Sequence, residues 1–321
     1  MAYGAKTTGS AIVGDYASQI ANKTILTTGV SPTTLGAAFV TTIATASPAL
    51  LILAGRNLAK AEETAEAIRA VAPQVPIRTL ELDLADKQSV RKAAATVLAW
   101  DDVAGIDVLV NNAAIITDEY GTIEGIERVF AVNHLGPFLF TNLVLPKVLA
   151  VKGRVVNVAS EGHRFSNVRF MDLNFEDGKI YNKWRAYGQS KTANMLFSLS
   201  LARKLGSRGL VANSPHPGTI ITPLSEGMDL ALEYELTRPY DQFVGYYPKE
   251  RGVIKTLDEG ISTHIYAAFE PSLKDHNGTF LLDCHVADPN VDFVMSWAAS
   301  EVEAEKLWKL SEELVGEKFE W

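Results

Sequence analysis

The strongest constraint on this chain is Ala49–Ala54 (ALLILA), a short run without a polar side chain, bounded by Pro48 and Gly55. A strand of this kind must be covered on both faces, which a parallel sheet between two helical layers provides. The pattern recurs along the chain. Lys23–Thr28, Arg78–Leu82, Ile106–Val110, Arg154–Val158 and Leu210–Ser214 read as further strands, with Phe280–Leu282 as a seventh. Between them lie helical stretches: Gly36–Ser47, Leu58–Ala72, Ser89–Trp100, one or two helices in Gly125–Leu149, and Tyr187–Leu205 stopped by Gly206. Alternation of this kind predicts an α/β fold, a three-layer doubly wound parallel sheet in a single domain. The expected divisions are an N-terminal arm (1–22), a core of alternating strands and helices (23–222), a segment after the sixth strand (223–250) and a C-terminal helical extension (289–321).

Several function classes fall away on composition. Lys and Arg total 30 against 38 Asp and Glu, a net charge of −8, which disfavours phosphate neutralisation and hence nucleic-acid binding. The charge-free span Thr24–Gly55 is broken by Pro32 and Pro48 and carries many Thr and Ser, so it reads as strand, helix, strand rather than as a membrane span. The tail from Glu301 to Phe319 is amphipathic and largely acidic, which suits a packed helix better than a membrane surface. No stable membrane insertion is expected. One cysteine, Cys284, excludes a disulfide framework and reads as a buried, unreactive thiol. With no secretory leader pattern at the start, the expected location is the cytoplasm, and the sequons at Asn22 and Asn277 read as chance. None of the six histidines has metal-ligand spacing, so no metal is expected. His163 and His216 read as hydrogen-bonded structural groups.

The chemistry sits at the strand ends. Gly29-Val30-Ser31-Pro32-Thr33-Thr34-Leu35-Gly36 joins the first strand to the first helix of the repeating pattern, where Gly29 permits a tight turn and Gly36 a close helix–strand approach. The helix N-terminus, capped by Thr33 or Thr34, offers N–H groups to a phosphate. Arg56-Asn57 follows the second strand, where an arginine suits a ribose 2′-phosphate, so NADP is favoured over NAD. Tyr187 and Lys191 stand four residues apart on one helix face, so the cation can lower the phenol pKa and make the tyrosine an acid/base. Ser160 ends the fifth strand, Asn111-Asn112-Ala113-Ala114 the fourth, and Pro217-Gly218-Thr219 the sixth.

In that order and spacing these residues resemble the short-chain dehydrogenase/reductase family over about Lys23–Thr222. Asn133-His134-Leu135-Gly136 and the 27 positions from Ser160 to Tyr187 are similar to the retinol-dehydrogenase-like branch and its fungal relatives. The resemblance implies a Rossmann-type fold and these roles. Tyr187 is the acid/base and Ser160 polarises the carbonyl. Lys191 tunes the tyrosine and binds the nicotinamide ribose, and Asn133 holds a water in a proton relay behind it. Asp83 and Leu84 meet the adenine. Asn111 and Ala113 line the cofactor, together with Gly29, Ser31, Thr33, Thr34, Leu35, Gly36, Arg56 and Asn57. Pro217, Gly218, Ile220 and Thr222 flank the nicotinamide. Two departures stand out: the middle glycine of the family's turn is Thr33 or Thr34 here, and Ala114 replaces a glycine. The resemblance makes 23–222 the cofactor-binding and catalytic core and 223–250 a substrate lid. The latter is rich in aromatic and aliphatic residues (Leu224, Met228, Leu232, Tyr234, Tyr240, Phe243, Tyr246, Tyr247), which fits a small apolar or aromatic substrate or, equally, packing on its own domain or on a partner subunit. The expected activity is NADP(H)-dependent carbonyl reduction or alcohol oxidation. A cyclase, dehydratase or isomerase on the same fold, or a dinucleotide-sensing module, are the alternatives. The resemblance also implies a homodimer paired through the tyrosine helix, unless the tail covers that surface.

Overall fold

A computed structural model describes residues 3–246 and 254–321. In chain order the main elements are α1 (Gly9–Asp15), β1 (Thr24–Thr28), α2 (Leu35–Ala44), β2 (Leu50–Gly55), α3 (Leu58–Val71), β3 (Ile77–Glu81), α4 (Lys87–Leu98), β4 (Val108–Asn111), α5 (Gly136–Ala150), β5 (Arg154–Asn157), α6 (Lys183–Leu205), β6 (Val211–His216), α7 (Leu230–Phe243), α8 (Leu257–Phe269), β7 (Phe280–Leu282), β8 (His285–Val286) and α9 (Glu301–Val315). Among the described residues, the eight strands form one sheet in the order β8-β7-β6-β5-β4-β1-β2-β3. All pairs are parallel except β7–β8, an antiparallel edge absent from the sequence reading. The chain leaves β3 at one edge and re-enters at β4 beside β1, so the strand order reverses there and opens a crevice at the carboxyl edge.

Alternate residues of each strand enter different cores, as a period of two demands. Leu26, Ile52, Leu109 and Val155 meet α4, α5, α6 and α9. Ile25, Leu51, Leu53, Val108, Val110 and Val156 meet α1, α2, α3 and α8. The uncharged Thr24–Gly55 span is indeed strand, helix, strand. A continuous helical run, Arg128–Ala150, is apolar and long enough to cross a membrane, but 83% of its apolar window is buried inside the fold.

Several expectations change. α6 ends where expected, at Leu205 with Gly206 as its cap, but Gly206 is not left-handed: its φ is −59° within a short 3-10 turn, and the left-handed residue is Gly209 at +92°. Asn182 caps α6, accepting from the Trp184 and Arg185 amides, so the helix starts four residues before Tyr187. The N-terminal arm is folded onto α8, with Ser10 Oγ donating to Asp258 at 2.7 Å and Tyr16 Oη to Glu270 at 2.6 Å. The stretch between Ser160 and Tyr187 contains three consecutive left-handed residues, Phe175, Glu176 and Asp177, before Gly178. Of the predicted lid, Pro223–Ser225 is a 3-10 turn and α7 its main helix, while Tyr247 and the rest of 247–250 lie outside the described residues.

The C-terminal extension packs as α9 across α5 and α6. Trp308 lies edge-on to Phe138 at 5.1 Å between ring centroids and 6.1 Å from Phe197, and its indole donates to Glu312. A buried His134–Ser311 contact of 2.8 Å joins the same layer. α9 therefore occupies the outer surface through which a pairing along the tyrosine helix would have to form. Because Trp308 is 3% exposed and surrounded by rings, Trp308→Ala is expected to lower unfolding free energy by about 3–5 kcal/mol. The check is the shift of the guanidinium unfolding midpoint.

Candidate active site

The ends of β1 to β6 bring the glycine turn, Arg56, Asp83, Asn111–Ala113, Ser160 and Pro217–Gly218 to one edge of the sheet, while Tyr187 and Lys191 come from α6 and Asn133 from the turn before α5. Gly29 has φ +73°, and a Cβ there would lie 2.7 Å from Ala113 Cα. A Cβ on Gly36 would lie 2.5 Å from the Gly29 oxygen and 2.6 Å from Asn112 Nδ2. Only glycine fits either position, and together they press α2 onto the ends of β1 and β4. Thr34 is the helix cap: its Oγ1 accepts from the Ala37 amide and lies 2.6 Å from the Ser31 carbonyl oxygen. Thr33 takes the glycine role conformationally, at φ +66°, a left-handed geometry that strains a β-branched residue. Leu35 and Ile220 meet around Gly260.

At the end of β2, Arg56 is exposed and, among the described residues, no carboxylate pairs with it. A Cβ on the neighbouring Gly55 would meet nothing within 4 Å. Asn57 is a helix cap whose Oδ1 accepts from the Lys60 amide, leaving its amide hydrogens and the second lone pair of Oδ1 for a ligand. Asp83 is half-buried after β3, with one oxygen accepting from Ala85 N, and Leu84 is buried against Gly136. These groups are compatible with a dinucleotide: a glycine cradle at a capped helix N-terminus, and an unpaired cation on open space one strand away.

Asn111 also has a structural role. Its Nδ2 donates to Thr141 Oγ1 and Asn157 Oδ1, both at 2.8 Å, and its carbonyl accepts from Val158, so it ties β4 to β5 and α5 inside the core. The neighbouring Asn112, which the sequence reading left without a role, binds the glycine turn through the Thr28 and Gly29 carbonyls at 3.0 and 3.1 Å. Ala113 follows, its amide donating to Thr28 Oγ1.

Ser160, Tyr187 and Lys191 converge beyond the end of β5. Gly162 and Gly188 make this contact: a Cβ on Gly188 would stand 2.6 Å from the Gly162 carbonyl, and one on Gly162 would stand 3.1 Å from the Tyr187 ring and 3.3 Å from Ser160 Oγ. Neither glycine carried a signal in sequence, because each is required by the other element. Lys191 is 2% exposed and donates from Nζ to the Val158 carbonyl at 2.9 Å, with Nζ 5.4 Å from the Tyr187 ring centroid. Burial pulls its pKa down to about 7. Burial pushes the Tyr187 phenol up to about 12, against the opposing pull of the Ser160 hydroxyl. The expected lowering of the tyrosine by lysine is therefore reversed in the protein alone: loss of water outweighs the nearby amine.

Asn133 lies in a π-helical turn, Ala131–Leu135. Its Oδ1 accepts from Ile115 N and its Nδ2 donates to Ile115 O and Ser190 Oγ. Both amide hydrogens are thus engaged, so a water behind Lys191 would be held by the main-chain carbonyl or the second lone pair of Oδ1. After β6, Pro217 is buried and Gly218 has φ +92°. Ile220 belongs to a two-residue ribbon with Ile254–Lys255, and Thr222 caps the turn at Pro223. His163 is structural: Nδ1 donates to Ser160 O at 2.8 Å, Nε2 accepts from Met295 N, and burial pulls its pKa down to about 4. His216 Nδ1 accepts from Glu161 and Gly218, joining the turns after β5 and β6. Cys284 is buried, with its pKa raised by burial.

Replacing Lys191 removes a buried cation without orphaning its acceptor, since Asn194 Nδ2 also donates to Val158 O at 3.1 Å. A folded pKa of about 7 against an ordinary 10.5 means the unfolded chain binds more protons between those values. Lys191 therefore subtracts stability at neutral pH and the deficit shrinks as pH rises to about 10.5. Lys191→Met is expected to gain about 2–4 kcal/mol at pH 7, with the gain vanishing near pH 10.5. Thermal unfolding of both proteins across that range checks the sign.

Comparison with known proteins agrees with this geometry. The family model described as short chain dehydrogenase matches residues 23–171. The chain is 34% identical over 275 residues to short-chain dehydrogenase TIC 32 A, chloroplastic, of Brassica napus, spanning 83% of this chain and 80% of that protein. It is 34% identical over 276 residues to retinol dehydrogenase 11 of Mus musculus, spanning 85% and 80% respectively. A crystal structure of an uncharacterized protein from Mycobacterium paratuberculosis superposes with a TM-score of 0.68 at 30% identity, covering 94% of this chain and 96% of that one.

Proposed function

The chain belongs to the short-chain dehydrogenase family, in its retinol-dehydrogenase-like branch, and on that premise we propose that it is an NADP(H)-dependent oxidoreductase interconverting an alcohol and a carbonyl in an apolar, medium-sized substrate. The observation that carries the proposal is the meeting of Ser160, Tyr187 and Lys191 beyond β5. Members of the family bind a nicotinamide dinucleotide, which when bound supplies or accepts the hydride at the carbonyl carbon.

In the reductive direction the carbonyl oxygen gains negative charge, and a protonated Tyr187 transfers its phenolic proton to it. A phenol held up to about 12 is fully protonated at neutral pH, which suits the donor role. Ser160 Oγ, which accepts from Gly162 N at 3.0 Å, keeps its own hydrogen for the substrate oxygen. Lys191, protonated to a substantial degree near pH 7, stabilises the phenolate left behind. NADP preference rests on Arg56, whose planar fork suits a 2′-phosphate. An apolar substrate is supported by the rings around Tyr187, Trp184 and Phe165 with Tyr240 of α7, and by the name of the mouse relative.

Purified protein is expected to consume NADPH with apolar aldehydes or ketones in equimolar amounts, and Tyr187→Phe to lower kcat/KM about 10²–10⁴-fold. Turnover without cofactor consumption would favour a non-redox reaction. Arg56→Ala is expected to weaken NADPH binding about tenfold and leave NADH binding unchanged, measured by calorimetry. Equal losses for both cofactors would remove the assignment of NADP.

A further inference from the structure

The lid helix α7 is amphipathic in the wrong sense for a helix held by apolar packing. Its buried face is Glu233, Thr237 and Asp241, spaced four apart, while Leu232, Leu236 and Phe243 are exposed, Phe243 by 90%. Two charged contacts fasten it. Asp241 Oδ1 accepts from Arg164 Nε at 2.6 Å, with both side chains buried. Arg164 also donates to the Glu161 carbonyl at 3.0 Å and lies over the rings of Phe165 and Tyr246 at 4.3 and 4.4 Å. At the other end, Glu233 takes Lys183 Nζ at 2.6 Å on one oxygen and the Trp184 indole N–H at 2.7 Å on the other. Lys183 is shared with Asp118.

The partners are placed for a purpose. Arg164 belongs to the 3-10 turn Glu161–Phe165 that follows Ser160 directly, and Lys183 and Trp184 are the first two residues of α6, one turn before Tyr187. Trp184, with its indole fixed by Glu233, stands edge-on to Tyr187 at 6.3 Å and to Phe165 at 5.8 Å.

We propose that Asp241 and Glu233 are positioning residues that latch the lid onto the two elements carrying Ser160 and Tyr187, and that this latch governs how tightly substrate is held and how Trp184 faces it. The kinetic half of the proposal rests on the reading of Ser160 and Tyr187 as the reacting groups. The structural half does not. Because the contacts are buried, salt screens them weakly, and loss of one lid carboxylate leaves Arg164 only the Glu161 carboxylate at 3.6 Å, or Lys183 only Asp118, neither of which belongs to α7.

The test uses the full chain and two independent readouts. Hydrogen–deuterium exchange on the protein without cofactor is expected to quicken about tenfold or more at residues 230–243 in Asp241→Asn and in Glu233→Gln, with α5 and the sheet unchanged. With NADPH and the best carbonyl substrate, Asp241→Asn is expected to raise KM about tenfold with kcat within about twofold, NADPH affinity unchanged, and Asp241→Glu to recover most of the loss. Unchanged exchange in both carboxamide variants overturns the latch. So does a fall in kcat at constant KM, or no recovery with glutamate. If the wild-type protein turns over no carbonyl while its lid exchange responds as stated, the latch stands and the proposed reaction falls.

Discussion

The close approach of α6 to the turn after β5 decides most of what this molecule can do. Gly188 stands 2.6 Å, measured from the Cβ it lacks, from the Gly162 carbonyl. That contact sets Tyr187 beside Ser160. It also brings the first turn of α6 and the Glu161–Phe165 turn near enough to share one lid, through Lys183 and Trp184 on one side and Arg164 on the other. A methyl group at Gly188 would force the two elements apart and separate the hydroxyls and the latch together, while one at Gly162 would crowd the Tyr187 ring at 3.1 Å.

The electrostatics of the site follow from the same closeness. Burial shifts four groups there toward their neutral forms: Tyr187 upward, Lys191, His163 and His216 downward. A buried lysine that loses stability at neutral pH has no packing rationale, since an apolar side chain of equal length would fill the space. Its retention makes sense as a charge source that becomes useful when negative charge develops on a neighbouring oxygen.

The elements that sequence patterning located best are those with a local cause. Ala49–Ala54 had to be a two-sided strand, and the Tyr187–Lys191 spacing had to share a helix face. What it missed has a non-local cause. Asn111 reads in sequence only as a cofactor contact, yet its Nδ2 also ties β4 to Thr141 and Asn157, contributed by other elements. Gly188 is invisible as a requirement until Gly162 is in place. The left-handed turn at Phe175–Asp177 opposes ordinary backbone preference and is held by contacts from elsewhere, such as Phe175 buried with Val129 and Ala186, and Asn174 Nδ2 donating to the Gly125 carbonyl. For Thr33, sequence showed that a glycine was missing from the turn but left Thr33 and Thr34 interchangeable. Backbone geometry separates them into a strained turn residue and a helix cap.

The proposed reading of α7 as a lid over a substrate without charge gives its orientation a physical reason. Had α7 turned Leu232, Leu236 and Phe243 inward, those side chains would compete with an apolar substrate for the same ring-lined space, and the empty site would tend to collapse on its own lid. An inward face of Glu233, Thr237 and Asp241 avoids this, because its partners are fixed charges on the site's rim rather than the apolar surface between them. The orientation of the lid is then set by hydrogen-bond direction, which an apolar interface cannot supply, and the rings of Trp184 and Phe165 remain available to whatever enters beside Tyr187.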